Sequence, residues 1–423
     1  MRKLQQRAAT TLEAILDGGA ALHQVLPTQL DALSTPGERG ALQDIVYGSL
    51  RHLGRLNVWL DALLQRPLTD PQLGYLLRVA LYQLAFTRAP AHAIVHNAVT
   101  AAGEGWRRGL ANAVLRNFQR RRAELEKIAD ATTEGRWSHP GWWIEKLRAD
   151  YPAQWQSILQ AGLEHPPFTL RVNRRHGDVA SYLQRLAETG LTARQTGPAA
   201  VTLDKAVAVH ALPGFAEGHV SVQDAGAQWA AVLLDVHAGQ RVLDACAAPG
   251  GKTGHILELA DVDLTALDVD ATRLARVRDN LDRLGVKARL VQGDAAKPET
   301  WWDGRPFDRI LADVPCSASG VTRRNPDIKW LRRPDDIAGF ARQQAVMLDA
   351  LWQCLAPGGK LLYATCSVFN EENDLQVQTF VARQRASGFG NVELSPLAEA
   401  FENNRILPDA DHDGFFYALL HKT

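Results

Sequence analysis

The fold of the C-terminal half is decided by the sequence RVLDACAAPGGKT at residues 241–253. The apolar run at its start predicts a buried strand, and the adjacent Gly250 and Gly251 predict a tight turn into a helix. In a doubly wound sheet, the loop at this position holds a ligand against the helix N-terminus. The residues expected to form this ligand loop are Ala245, Cys246, Ala247, Ala248, Pro249, Gly250, Gly251 and Lys252.

The spacing of the glycines excludes two common phosphate-binding loops. A Walker A loop needs a glycine five positions before Gly251, where this chain has Cys246. A dinucleotide-binding G-x-G-x-x-G motif also fails, because Gly250 and Gly251 are adjacent. The ligand of this loop is therefore expected to be something other than a nucleotide phosphate.

Strand-like runs recur after residue 239, with helical segments between them. They lie at residues 241–245, 264–268, 288–292, 308–312 and 360–364. This alternation predicts a parallel sheet with crossover helices. The last run, at residues 415–421, follows no comparable helix, so we expect it to enter the sheet antiparallel at one edge.

Acidic residues stand near the ends of the first four predicted strands, namely Asp244, Asp268, Asp294 and Asp313. Four carboxylates would repel a diphosphate, but they suit ribose hydroxyls, an amine and a sulfonium charge. S-adenosylmethionine carries all three groups. We therefore predict S-adenosylmethionine as the cofactor, with Asp268, Asp294 and Asp313 among its contacts.

Two cysteines follow strands that should be neighbours in such a sheet. Cys316 lies in DVPCS at residues 313–317, and Cys366 lies in ATCS at residues 364–367. Both thiols should emerge at the carboxyl edge of the sheet, beside the cofactor. Cys354 lies in the preceding helix and is expected to be a core residue, as free cysteines often are.

The N-terminal part is predicted to be an all-helical bundle of at least five helices. Residues 1–130 hold 16 Lys and Arg against 11 Asp and Glu, a net charge of +5, and the remainder carries −5. The region from residue 106 to 122 has apolar residues between its arginines, which predicts an amphipathic basic helix that meets RNA phosphates. Its candidate RNA-binding residues are Arg107, Arg108, Arg116, Arg120, Arg121 and Arg122. The alternative for this stretch is an ordinary solvated helix face.

Composition and spacing exclude several other classes of protein. Four cysteines in 423 residues are too few for a disulfide scaffold, and none has metal-ligand spacing. His92 and His96 have the spacing of a zinc-protease helix, but Ala93 stands where the general base would be. We find no signal peptide and no run of about 18 apolar residues. We therefore expect a cytoplasmic protein without metal or membrane span, and a monomer, although nothing in the sequence determines the oligomeric state.

The motifs resemble those of the RNA cytosine-C5 methyltransferases of the Sun/Fmu/NOL family. CAAPGGK at 246–252, DVPCS and ATCS carry the likeness, and RRNPDIKW at 323–330 and DGFFY at 413–417 strengthen it. The helical front resembles a NusB-like RNA-binding domain. One departure is Val314, where alanine is frequent, and it should alter packing rather than chemistry.

The resemblance implies a multidomain chain with three parts. They are an all-α NusB-like RNA-binding domain at residues 1–135, a small α+β linker domain at 136–237, and an α/β Rossmann-like methyltransferase domain at 238–423. In the middle part, runs at 168–173 and 200–203 are strand-like, with a helix at 178–189 between them.

The family also implies roles for individual residues. Cys366 would be the nucleophile that adds to C6 of cytosine, and Cys316 would assist product release. Asp313 would contact the N3/N4 edge of the base, with possible support from Lys252. The expected partner is 16S rRNA, with cytosine 967 as the target. Arg323 and Arg324 join the candidate RNA-binding residues.

Three other functions stay open on the sequence alone. Cys316 could be the nucleophile, as the Pro-Cys cysteine is in DNA cytosine-C5 methyltransferases. The substrate could be another RNA cytosine, such as one in tRNA. The chain could also be a non-catalytic RNA-binding factor, although it retains both cysteines and all the aspartates.

Overall fold

The computed structural model describes residues 1–387, 392–397, 401 and 404–423. The chain divides into two compact units, one of Met1–His165 with Thr322–Pro334 and one of Pro166–Val321 with Asp335–Thr423. The segment Thr322–Pro334 belongs to the first unit, although in the amino-acid sequence it lies between two strands of the second unit's sheet. The division expected at residues 135 and 237 stays a prediction, because compactness separates two units rather than three.

Residues 1–135 are helical, as predicted, and the helical unit continues without a strand to residue 165. Two of its helices begin at a capping residue that is followed by proline: Thr35 caps the helix that starts at Pro36, and Asp70 caps the helix that starts at Pro71. Their apolar faces form one core around Trp59 and Phe118. The helices are α1 (Arg2–Leu16), α2 (Leu22–Asp31), α3 (Pro36–Arg51), α4 (Leu53–Leu63), α5 (Pro71–Phe86), α6 (Ala91–Ala101), α7 (Trp106–Ala131), α8 (Thr133–Trp137), α9 (Gly141–Asp150) and α10 (Trp155–Ala161).

The second unit begins with a small α+β part, as predicted. Its antiparallel sheet has the order β2-β3-β1-β4. Asp178 caps the helix of this part by accepting from the Ser181 amide at 2.8 Å. The elements are β1 (Phe168–Val172), α11 (Val179–Glu188), β2 (Ala193–Gln195), β3 (Ala200–Leu203), a short 3-10 helix (Val209–Ala211) and β4 (Val220–Val222).

The larger part of this unit alternates strands and helices. Its elements are α12 (Ala225–Leu233), β5 (Arg241–Ala245), α13 (Gly251–Leu259), β6 (Asp263–Asp268), α14 (Ala271–Leu284), β7 (Arg289–Gln292), β8 (Phe307–Asp313), α16 (Pro334–Cys354), β9 (Leu355–Thr365), α17 (Asp374–Ser387), β10 (Val392–Ser395), β11 (Arg405–Ile406) and β12 (Phe415–Lys422). Helix α15 (Ile328–Leu331) lies between β8 and α16 in the chain but belongs to the helical unit. Three 3-10 helices join them, Pro298–Thr300, Ser319–Val321 and Asn370–Glu372.

The strand order β10-β12-β9-β8-β5-β6-β7 explains where a ligand can bind. Strands β7, β6, β5, β8 and β9 pair in parallel, so their carboxyl ends share one edge. The chain leaves β5 toward β6 and returns on the other side at β8. The carboxyl ends of β5 and β8 therefore flank the topological switch point, where open α/β sheets bind ligands.

One predicted position in this sheet is wrong. Strand β12 is antiparallel, as expected, but it pairs with both β9 and β10 and therefore lies inside the sheet. The edge belongs to β10, a short strand with two exposed residues. Its sequence carries too little periodicity to be recognised as a strand, which is why β12 was expected at the edge.

Candidate active site

The ligand loop joins β5 to α13 at the carboxyl edge of the sheet. Gly250 has φ of 97°, a conformation that favours glycine, and a Cβ there would come within 3.1 Å of Val277. Cys246 also has positive φ, at 75°. Burial raises the pKa of the Cys246 thiol, so this cysteine is a poor nucleophile. The loop is thus a tight backbone cradle.

The carboxylates around the loop differ in burial. Asp244 accepts a hydrogen bond from the Thr253 hydroxyl at 2.6 Å, and burial raises the pKa of Asp244 to about 7. Its other oxygen, Oδ1, is buried and has no hydrogen-bond partner in the described part of the chain. A buried acceptor without a partner, beside the ligand loop, fits a ligand that brings a donor or a positive charge.

Asp268 ends β6 and is 2% exposed. Its carboxylate accepts from the amide of Ala248, in the loop, and from the amide of Asp270, each at 3.1 Å. Each oxygen retains a lone pair that a ribose hydroxyl could use. Asp294 lies after β7 and is more open, with 42% of its side chain exposed and Lys297 at 3.9 Å.

Lys252 and Asp313 form an ion pair between the loop and the end of β8. Burial alone would lower the pKa of Lys252, but the Asp313 carboxylate outweighs it and the pKa is raised. Lys252 therefore stays protonated and holds the Asp313 side chain at the switch point. Asp313 lies opposite Ala364 in the paired strands β8 and β9, so the ion pair is at the strand end that Cys366 follows.

The two cysteines predicted at neighbouring strand ends do meet. Cys316 Sγ and Cys366 Sγ are 3.4 Å apart, and both side chains are partly accessible. The hydrogen bond with Cys366, together with burial, raises the pKa of Cys316 well above its usual range. Cys354 is buried in α16, as predicted. The edge of the sheet thus carries a thiol pair in which Cys316 remains protonated at neutral pH.

The predicted RNA-binding arginines have different surroundings. Arg108, Arg116, Arg120 and Arg122 are exposed on α7. Arg107 is half-buried and forms an ion pair with Asp70, the cap of α5, while Arg121 pairs with Glu124 at 2.7 Å.

The prediction for Arg323 is wrong in this conformation. Its side chain is 2% exposed within the helical unit, and its carbonyl accepts from Arg51 at 3.0 Å. A buried guanidinium cannot reach an RNA phosphate. Arg324 is half-buried.

Two groups of residues at this site were missed by sequence reasoning. Arg171, in β1, forms a buried double hydrogen bond with Glu258 at 2.6 and 2.8 Å and also donates to the carbonyl of Gly251 at 2.8 Å. Glu372 lies beneath the two cysteine turns and binds both. A possible signal was the serine that follows each cysteine, since two identical polar turns invite one shared partner.

Residues 1–387, 392–397, 401 and 404–423 contain neither a membrane-spanning helix nor a cluster of metal-binding side chains. None of the helices in these ranges is long and apolar enough to cross a membrane. Across the same residues, no group of three or more His, Cys, Asp or Glu could hold a metal ion. His92 and His96 are both exposed, so neither lies in the core.

Family models match three consecutive regions of the chain. Residues 231–421 match 16S rRNA methyltransferase RsmB/F, residues 139–210 match the RsmF/B-like ferredoxin-like domain, and residues 2–120 match the NusB family. These matches confirm the expected fold class, and they identify the small α+β part as ferredoxin-like.

Relatives cover nearly the whole chain. Ribosomal RNA small subunit methyltransferase B of Vibrio cholerae serotype O1 is 47% identical, over 98% of this chain and 96% of that protein. The solved structure of PH0851 has a TM-score of 0.77 at 26% identity and covers 99% of both chains. A methyltransferase homolog protein from Pyrococcus horikoshii has a TM-score of 0.59 at 28% identity, covering 69% of this chain and 97% of that one.

Proposed function

Because the chain belongs to the 16S rRNA methyltransferase RsmB/F family, we propose that it methylates C5 of a cytosine in 16S rRNA, using S-adenosylmethionine. By family resemblance, the target is cytosine 967. The observation that carries the proposal is the thiol pair of Cys316 and Cys366, 3.4 Å apart at the ends of the neighbouring strands β8 and β9.

The cofactor would lie in the loop between β5 and α13. Asp268 would accept from the ribose hydroxyls, and the orphaned oxygen of Asp244 offers a further acceptor near the loop. When bound there, S-adenosylmethionine supplies an electrophilic methyl group. Asp294 is proposed as an outer contact, because it is the most exposed of these carboxylates.

The nucleophile is proposed to be Cys366. C5 of cytosine is too weak a nucleophile to react directly, but addition of the Cys366 thiolate to C6 makes C5 enamine-like. After C5 has been methylated, its proton leaves to a base, the C5=C6 double bond reforms, and the C6–S bond breaks. The electron pair of that bond returns to the sulfur of Cys366.

Cys316 is proposed to assist the release of the product. Its raised pKa keeps it protonated, and its sulfur is 3.4 Å from that of Cys366. It therefore has a proton to give to the departing sulfur. The family resemblance assigns the attack to Cys366 rather than to Cys316.

Asp313 is proposed to bind the N3/N4 edge of the cytosine. The N4 amino group would donate to the carboxyl group, and a proton held between Asp313 and N3 would neutralise the negative charge that develops on N3 as sulfur adds to C6. Lys252 holds the Asp313 carboxylate at the end of β8. The target base must leave its stack, at a cost of a few kcal/mol, and phosphate contacts from α7 would supply part of that energy.

The test is methyl transfer from labelled S-adenosylmethionine to unmodified 16S rRNA, followed by nucleoside analysis. Label should appear as 5-methylcytidine, and a transcript with uridine in place of cytosine 967 should remain unlabelled. Bulk tRNA and a DNA of the same sequence serve as controls. The proposal would be overturned if label appeared in tRNA or DNA instead of rRNA, or if none of the substrates became labelled.

A further inference from the structure

Glu372 is a fully buried carboxylate directly beneath the two cysteine turns. Its exposed fraction is 0%, and its oxygens accept four hydrogen bonds. Oε1 accepts from the Ser317 amide at 2.8 Å and from Gln344 Nε2 at 3.1 Å. Oε2 accepts from the hydroxyls of Ser317 and Ser367, both at 2.5 Å. One carboxylate is thus shared between residues 50 positions apart in the chain.

The two serines are the residues that directly follow Cys316 and Cys366. Because a serine and the preceding cysteine share a peptide unit, fixing the two hydroxyls restrains the two thiols. The Ser317 and Ser367 hydroxyls are themselves 3.1 Å apart. The spacing of the thiols is therefore tied to the carboxylate that joins the turns.

Other bonds tighten the same junction. Ser319 Oγ accepts from the Val368 amide at 2.8 Å, and the Gly320 amide donates to the carbonyl of Cys366 at 2.8 Å. A Cβ at Gly320 would come within 3.0 Å of that carbonyl. Gln344 binds the Pro315 carbonyl at 2.9 Å. The turns approach so closely that small displacements of either one change the distance between the sulfurs.

A buried carboxylate is costly, and here all four bonds come from neutral donors. Such a group is tolerated when its hydrogen bonds are saturated, and a saturated network makes one geometry far more stable than its alternatives. An apolar residue would fill the space without that cost. The network therefore points to a requirement for fixed geometry rather than for packing alone.

We infer that Glu372 is a positioning residue that joins the turn after Cys316 to the turn after Cys366 and so sets the spacing of the two thiols. The inference rests on the proposed function only for its effect on catalysis. The mechanical part concerns the thiols themselves and can be measured without RNA or cofactor.

Three substitutions separate length, charge and hydrogen bonding. Glu372→Gln keeps the length of the side chain and an acceptor for the Ser317 amide, and its amide group can donate to the serine hydroxyls. Glu372→Asp keeps the charge but is one methylene shorter, so it cannot span both turns. Glu372→Ala removes the bridge. Asn373→Ala is the matched control, because among the described residues the buried Asn373 side chain binds only the turn of Cys366, through Thr365 at 2.7 Å and the Ser367 carbonyl at 2.9 Å.

The first measurement is the equilibrium between the thiol pair and a disulfide in glutathione buffers, followed by mass spectrometry. Cys316 and Cys366 lose two electrons and two protons, and one oxidised glutathione becomes two reduced ones. The effective concentration of the pair should agree within about threefold among the wild type, Glu372→Gln and Asn373→Ala. It should fall by about tenfold or more in Glu372→Asp and Glu372→Ala. Equal values in the wild type and Glu372→Asp would overturn the inference.

The second measurement is methyl transfer by the same variants at matched stability. Glu372→Asp should lower kcat by about tenfold or more while KM for rRNA and the affinity for cofactor stay near the wild type. Glu372→Gln should restore most of kcat. Equal loss of kcat in Glu372→Gln and Glu372→Asp would contradict positioning through the length of the side chain.

The thiol equilibrium and the methyl-transfer assay test the positioning role of Glu372 and the proposed function separately. If the wild type transfers no methyl group but the thiol equilibrium responds as expected, the proposed function fails and the positioning role of Glu372 stands. If Glu372→Asp does not fold, Ser317→Ala and Ser367→Ala replace it, since each removes one donor to Oε2. Unchanged thiol equilibria in both serine variants would then overturn the inference.

Discussion

The sulfur atoms of Cys316 and Cys366 lie 3.4 Å apart, although 50 residues separate them in the chain. Strands β8 and β9 are parallel neighbours, and each cysteine lies just beyond the end of one of them. Because the two sulfurs are within hydrogen-bonding distance, a proton can pass directly from one to the other. The pair therefore supports two different roles.

The two cysteines should fail in different ways when replaced by serine. Cys366→Ser should abolish methyl transfer and leave no covalent intermediate, since a serine hydroxyl is a far poorer nucleophile at neutral pH. Cys316→Ser should still permit attack and methylation, but it should slow release. A covalent protein–RNA adduct should accumulate in the presence of cofactor, and denaturing gel electrophoresis with labelled RNA detects it.

The reverse result would reassign the cysteines. An adduct with Cys366→Ser and none with Cys316→Ser would make Cys316 the nucleophile, as in the DNA enzymes. The double variant is the control, because it should give neither product nor adduct.

Asp268→Ala should weaken cofactor binding while the fold survives. Loss of hydrogen bonds to a charged acceptor should cost about 1.5–3 kcal/mol, which is roughly a tenfold to hundredfold loss of affinity. Asp294→Ala should cost less, because 42% of its side chain is exposed to water. Calorimetry with S-adenosylmethionine measures both, and equal affinities in Asp268→Ala and the wild type would remove Asp268 from the site.

Asp244 should make stability depend on pH. Burial raises its pKa from 3.8 to about 7, so the folded protein binds a proton that the unfolded chain has released. The free energy of unfolding should therefore fall as the pH rises from about 4 to about 7, by about 4 kcal/mol at most from this group. Asp244→Asn should lack that component of the slope.

Denaturant unfolding across this range measures the slope. Asp261→Asn is the control, since it removes a carboxylate whose side chain is 87% exposed to water. A slope in Asp244→Asn as steep as that of the wild type would show that Asp244 titrates normally in the folded protein.

Replacing Arg116 and Arg120 by alanine should reduce the salt dependence of RNA binding. Both are exposed on α7, and each neutralised phosphate contributes about 0.7–0.9 to the log–log slope. Arg107→Ala is the comparison, because this arginine pairs with Asp70 and should affect the stability of the helical unit instead. Fluorescence anisotropy of a labelled rRNA fragment over a range of salt concentrations gives the slopes. An unchanged slope in the Arg116 and Arg120 variants would identify this stretch as a solvated face.

The sequence by itself determined the elements and the chemistry at their ends. The predicted strand at residues 241–245 matches β5, and the helix expected from residue 178 to 189 is α11, Val179–Glu188. Hydrophobic periodicity, caps and turn residues act over a few residues, so they can be read along the chain. The meeting of Cys316 and Cys366 also followed, because parallel strands align their carboxyl ends.

Only the tertiary structure decided which distant residues touch. In the structure, Arg323 is buried, β12 lies inside the sheet, and Glu372 lies between the turns that follow Cys316 and Cys366. The structure also pairs Arg171 with Glu258, 87 residues away. An arginine or glutamate has the same local pattern whether it faces water or a buried partner. Its environment is set by the packing of whole elements against each other, and no local periodicity records that packing.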